Sequence, residues 1–173
     1  MELTMAVNTH ALFYTTKAFV PGMLEADHGH VVTIASIAGK VGVAGLKRKK
    51  NKDQKNNLIY SCHPHESLTA ELDSLGKHGV KTTVVCPYYI DTGMFDGVQT
   101  KSPTLLPVLQ PDYVVDCIME AVLTDKELIA IPRFNYIVMF FGGFLPSSVL
   151  GILRNHLGGN KIMETFTGRM KKD

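Results

Sequence analysis

Apolar residues at Met5, Leu12, Phe19 and Met23, with Thr16 between them, recur at helical spacing, and Asn8, Thr9, His10, Thr15 and Lys17 share a more polar side. The pattern predicts an opening helix that Pro21 bends or ends. The HGH triplet at 28–30 reads as a turn. The β-branched run VVTIA at 31–35 reads as a short buried strand, and SIAGKVGVAG at 36–45 as a small-residue loop at that strand's carboxyl end. A helix is predicted over 66–79, with Leu68, Leu72 and Leu75 as its apolar stripe, Glu66 and Glu71 early, and Gly76 or Gly79 to end it. KTTVVCP at 81–87 is a second strand stopped by proline. A loop rich in Pro and Gly follows to residue 110, then a helix with Pro111 in its first turn, then a third strand, LIAIP, at 128–132. Helix and strand alternating in this way predict right-handed crossovers and a parallel sheet, hence an α/β fold.

The run YIVMFFGGFLPSSVLGIL at 136–153 holds 18 residues without a charge, flanked by Arg133 and Arg154. A membrane span needs about 20 apolar residues, and this run is interrupted by Gly142, Gly143, Pro146 and two serines. A helix–turn–helix over the sheet or a substrate pocket, or peripheral membrane association, accounts for it better than a span. The domain expectation is therefore a partial sheet domain over 1–132, with an atypical basic insert at 47–65, and a hydrophobic helical extension over 133–173.

Charge enters through one segment. The chain has 173 residues with 18 Lys+Arg against 16 Asp+Glu, a net charge of +2. KRKKNKDQK at 47–55 supplies six of the basic residues and one acid, so the remainder holds 12 against 15 and sits at −3. A nucleic-acid partner is not expected from one run without interleaved aromatics; a solvated loop is. Three widely spaced cysteines (Cys62, Cys86, Cys117), none in a C-x-x-C pair, make no disulfide framework and fit a reducing compartment. Cys62, His63 and His65 lack the converging partner a metal site needs, so no metal is expected. The opening MELTMAVNTH has neither the charged nor the apolar region of a secretory signal. It reads as the inside of a helix, and the chain is expected to be a non-secreted fragment.

Ligands of open α/β sheets bind outside the carboxyl ends of the strands, where Ser36 and the Pro87–Thr92 segment fall. The three stretches VNTHALFYTTKAFVPGML, GHVVTIASIAGKVGVAGL and ESLTAELDSLGKHGVKTTVVCPYYIDTGMF, in this order, resemble the second half of a short-chain dehydrogenase/reductase. The resemblance covers residues 1–46 and 66–173 and is closest to family 16C, which holds retinol dehydrogenases and lies near the lipid-droplet 17β-hydroxysteroid dehydrogenases. It implies the C-terminal half of a Rossmann-like, doubly wound parallel sheet. It also implies NAD or NADP as cofactor, a lipophilic alcohol as substrate, a place on the cytoplasmic face of the endoplasmic reticulum or on lipid droplets, and compatibility with an oligomer.

By the same resemblance Asn8 matches an asparagine of a water-linked proton relay. Ser36, in TIASIAG, matches the serine that orients and polarises the substrate oxygen. Pro87, Ile90 and Thr92 match the segment that holds the nicotinamide ring and carboxamide, with Tyr88 where most of the superfamily has glycine. The family's proton-transferring Tyr-x-x-x-Lys is not matched. Tyr60 is the tyrosine of that stretch, but Pro64 stands four residues on, and Tyr60 lies 24 residues after Ser36. The glycine-rich phosphate turn is also unmatched, since Gly39-Lys40-Val41-Gly42 has neither the spacing nor the strand–turn–helix setting. Weak or no NAD(P) binding, an open sheet edge, poor solubility and impaired activity are the resulting expectations. A non-catalytic, membrane-docking protein is the alternative.

Overall fold

The computed structural model describes residues 6–40, 65–92, 95 and 97–156, with the backbone alone at Asn8, Ser147, Leu153 and Arg154. A π-helical turn, Ala6–His10, leads into helix α1, Ala11–Ala26. The chain reverses at Asp27, which takes a left-handed φ of 45°, and His28 N–H bonds back to Met23 O. Strand β1 is Gly29–Ile34, and a short helix α2, Ile37–Lys40, follows it. Helix α3 is described over 65–74. Strand β2 is Val80–Pro87, helix α4 Pro111–Leu123 and strand β3 Leu128–Ile131. Helices α5, Phe134–Phe144, and α6, Ser147–His156, end the described chain.

The sheet has the order β1-β2-β3 and is parallel throughout, with Gly29 opposite Val80, Ile34 opposite Val85, and Val84 opposite Leu128. Side chains alternate across it. On one face Ala35, Val84 and Cys86 pack with Leu128, while His65, Thr69 and Leu72 arrive from α3. On the other face Val85, Ile129 and Ile131 pack under Val114 and Ala121 of α4, with Leu109 from the preceding loop. β2 is central and almost wholly buried, which is why it reads as a near-continuous apolar and threonine run.

Three local expectations are revised. Pro21 does not end the helix: α1 continues through it to Ala26, with Val20 buried beside it. Gly29 and His30 belong to β1 rather than to a turn. A Cβ on Gly29 would stand 2.6 Å from Met23 Cγ, so this glycine marks the close approach of α1 to the strand. The first residues of the 36–45 loop form α2. The 136–153 run is a helical hairpin broken at Leu145 and Pro146, and among the described residues no helix is long and apolar enough to cross a membrane. The basic run 47–55, Cys62 and His63 lie outside the described residues.

The two edges of the sheet differ. At β3 the hydroxyl of Tyr136 donates to Leu128 O at 3.0 Å and accepts from Ala130 N–H at 3.2 Å, closing the edge with a side chain. The buried Asn135 adds a bond from its Nδ2 to Ile131 O at 3.0 Å. At β1 no described strand or side chain takes that part.

Candidate active site at the carboxyl ends of the strands

Ser36 follows β1 directly. Ala35 N–H bonds to Val85 O at 2.8 Å, so the residue after it lies beside the end of β2, next to Cys86 and Pro87. The Ser36 hydroxyl accepts Ala38 N–H at 3.3 Å, and Ser36 O accepts Gly39 N–H at 2.9 Å. The serine thus caps α2. A hydroxyl that accepts one bond still has its own proton to donate, so capping holds the group while leaving it able to polarise an incoming oxygen.

Pro87 is the buried last residue of β2, paired with Ile131. Tyr88 N–H extends the ladder to Ile131 O at 2.8 Å. The chain then turns along residues 107–109: Ile90 forms a parallel bridge with Leu109, Leu109 N–H bonds to Tyr89 O, and Asp91 N–H bonds to Leu109 O. These bonds fix the backbone from Pro87 to Asp91. Thr92 is exposed at its end, where its N–H reaches Ile90 O at 2.9 Å and its hydroxyl the same oxygen at 3.5 Å.

Tyr88, Tyr89 and Phe95 stack edge to face along this loop, with ring centroids 4.7 and 5.0 Å apart. Burial raises the pKa of Tyr88, with a smaller push from Tyr89, and burial alone pushes Tyr89 up to about 12. Neither phenol is tuned to act as a base near neutral pH, a task that needs a pKa brought down towards 7. Tyr88 instead packs against the core under α4, with its hydroxyl buried and unbonded. The sequence marks Tyr88 as unusual without revealing that orientation.

Asn8 lies in the π-helical turn ahead of α1. Because α1 doubles back into β1, its amino end points toward the strand's carboxyl end. Tyr60 lies outside the described residues.

A second polar cluster, not foreseen from the sequence, sits at the opposite, amino end of the sheet. His30 Nε2 and Thr83 Oγ1 are 2.8 Å apart, and His30 Nδ1 lies 3.9 Å from Asp125. This has the look of a hydroxyl–imidazole–carboxylate set. However, Thr83 is fully buried and its hydroxyl donates to Lys126 O at 2.8 Å, leaving no proton for the imidazole to take. The cluster ties β1, β2 and the turn before β3 together.

The described residues fit only one end of a dinucleotide. Ser36 and the Pro87–Thr92 backbone offer polar groups at the strand ends. The pyrophosphate needs free amides at a helix start, and the helix that starts here, α2, has its Ala38 and Gly39 amides already taken by Ser36.

Comparison with known proteins agrees with this architecture. The short chain dehydrogenase family model matches residues 1–48. Retinol dehydrogenase 10 of Homo sapiens is 44% identical over 174 residues, covering 99% of this chain, and retinol dehydrogenase 10-A of Danio rerio is 41% identical over the same share. The chain spans about half the length of these relatives, 50% of each. A short-chain dehydrogenase from Burkholderia cenocepacia J2315, solved in complex with NADP, superposes with a TM-score of 0.61 at 18% identity, over 88% of this chain and 58% of its own. Serine dehydrogenase from Escherichia coli superposes with a TM-score of 0.52 at 22% identity, over 72% of this chain and 49% of its own. These two likenesses carry the fold, and with the sequence relatives they place the alternating helices and parallel strands: the chain belongs to the short-chain dehydrogenase/reductase family.

Proposed function

We propose that this chain is the alcohol-facing half of an NAD(P)-dependent oxidoreductase for lipophilic alcohols of the retinol or hydroxysteroid class, with impaired turnover. The observation that carries the reading is the 44% identity to retinol dehydrogenase 10 across nearly the whole chain. In this reading the Ser36 hydroxyl donates a hydrogen bond that orients and polarises the substrate oxygen, and Pro87, Ile90 and Thr92 border the nicotinamide end of the cofactor. Asn8 holds a water in the proton path. Oxidising an alcohol removes a hydride from carbon and a proton from oxygen, and the nicotinamide accepts only the first. The proton needs its own acceptor. With Pro64 four residues after Tyr60, the lysine that lowers a tyrosine's pKa is missing from that position. Loss of one general base costs about 10²–10⁴ in rate.

The test is turnover of retinol, and separately of a hydroxysteroid, with NAD or NADP, followed at the absorbance of the reduced nicotinamide after circular dichroism has established folding. Activity at least about a hundredfold below that of intact retinol dehydrogenase 10, with saturable retinol binding, is expected. Turnover equal to the intact enzyme overturns the impairment. Absence of both binding and turnover overturns the alcohol reading.

A second reading, peripheral docking on the endoplasmic reticulum or lipid droplets, draws support from α5. Ile137, Phe140, Phe141 and Phe144 are exposed on it, Phe144 at 82%, and residues 128–163 contain no acid but include Arg133, Arg154 and Lys161. Exposed apolar rings in a stretch of sequence that carries cations and no acid suit an anionic lipid surface. Co-sedimentation with phosphatidylserine vesicles that survives Phe140→Ser and Phe144→Ser together would exclude this face.

A further inference from the structure

Ser36 is held on both sides. Before it, Ala35 N–H is bonded to Val85 O at 2.8 Å, and after it the Ile37 side chain is buried. α2 is a single turn of four residues. Its two amide contacts to the serine, Ala38 N–H to Ser36 Oγ at 3.3 Å and Gly39 N–H to Ser36 O at 2.9 Å, lie between that isoleucine and Lys40. A turn this short has too few internal bonds to keep its shape unaided. Its far end is held from outside, where Lys40 Nζ makes an ion pair with Glu66 Oε1 of α3, 26 residues on in sequence.

Glu66 stands on a fixed post. His65, the residue before it, is buried with its Nδ1 3.0 Å from Thr33 Oγ1 of β1. One turn later the Thr69 hydroxyl donates to His65 O at 3.0 Å, which leaves it to accept from Thr82 Oγ1 of β2 at 2.8 Å. α3 is thus tied to the two strands whose carboxyl ends frame Ser36, and the Glu66 carboxylate is placed relative to them. The Glu66 side chain is 53% exposed. An ion pair this solvated adds little to folding stability, so its consequence is local.

We propose that Lys40 and Glu66 are a positioning pair for Ser36. The ion pair fixes the far end of α2 and, through the Ala38 and Gly39 amides, the direction in which the Ser36 hydroxyl offers its hydrogen bond. Both residues act through the serine and not on the substrate. The proposal rests on the reading of Ser36 as the group that addresses the alcohol oxygen, and it deepens that reading by naming what holds the group.

Glu66→Gln and Lys40→Met, made in the full chain, keep the size of each side chain and remove its charge. Each is expected to speed hydrogen exchange at the Ala38 and Gly39 amides at least about threefold, and to leave the ladder amides of Val84 and Tyr88 unchanged. One hydroxyl bond carries about fivefold in affinity, so misdirecting it is expected to weaken retinol about threefold. A retinoid hydrocarbon without the oxygen is unaffected, and retinol weakens no further when Ser36→Ala is already present. Lys40→Glu together with Glu66→Lys restores both readouts. Equal weakening of retinol and the hydrocarbon, or a loss that adds to Ser36→Ala, marks general loosening and overturns the proposal. So do unchanged exchange at Ala38 and Gly39, a charge-swapped protein no better than either single reversal, or full retinol affinity in Glu66→Gln where Ser36→Ala weakens it. If Ser36→Ala itself leaves retinol binding unchanged, the alcohol reading falls, and the exchange rates with their recovery on charge swapping decide the pair on their own.

Discussion

Lowering the pH from about 7.5 to about 5.0 is expected to cost the folded chain about 2 kcal/mol through one imidazole. His65, at the start of the described part of α3, is only 4% exposed. Its Nδ1 meets Thr33 Oγ1 at 3.0 Å, and its Nε2 is buried with no partner. Burial first, then the charge of Lys40, then His30, lower its pKa from 6.5 to about 4. The unfolded chain takes up the proton near 6.5 and the folded chain only near 4, so between these values the unfolded state binds more protons. The contribution of neutral His65 is thus complete above about pH 6.5 and is lost as pH falls toward 4. For pKa values of 6.5 and about 4 the linkage integral gives about 2 kcal/mol by pH 5. Urea unfolding followed by circular dichroism, on the wild type and on His65→Gln, separates this imidazole from other titrating groups. The variant should lose about 2 kcal/mol less than the wild type over the same interval. Equal losses in the two proteins would refute the assignment.

Tyr136→Phe removes the hydroxyl that serves Leu128 O and Ala130 N–H, and a loss of about 1–3 kcal/mol with faster exchange at Ala130 is expected by denaturant titration and hydrogen exchange. Tyr88→Phe deletes a buried hydroxyl that has no partner, so its unfolding midpoint should match or exceed that of the wild type. Gly79→Ala sets a Cβ 1.7 Å from Asp27 O, a rigid backbone atom, and is expected to cost about 3 kcal/mol or to prevent folding, read as soluble yield and melting temperature.

The strands were legible because β-branched runs end at proline or at small residues: Val31–Ile34, Val80–Pro87 and Leu128–Ile131 are where the pattern sets them. The glycines misled. Gly29 reads as turn chemistry when its purpose is to admit Met23, a contact between α1 and β1 that no local pattern encodes. Ser36 and Pro87 were traceable through the general rule that ligands bind at strand carboxyl ends. Tyr136 was hidden as the first residue of an uncharged run that reads as lipid-facing or core, and Asn135 stands just before it. Their work, satisfying backbone groups of β3, is visible only once the chain folds back on itself. The His30–Thr83–Asp125 cluster joins residues from three separated segments, so spacing could not announce it.

The claim that Ser36 addresses an alcohol oxygen is tested most directly by retinoid binding. The chain has no tryptophan, so retinol fluorescence can be followed without a protein indole signal. Wild type and Ser36→Ala are titrated with retinol and with a retinoid hydrocarbon that lacks the oxygen. One hydroxyl bond is worth about 1 kcal/mol, so Ser36→Ala should weaken retinol about fivefold and leave the hydrocarbon unchanged. Equal affinity of the two proteins for retinol would contradict the account.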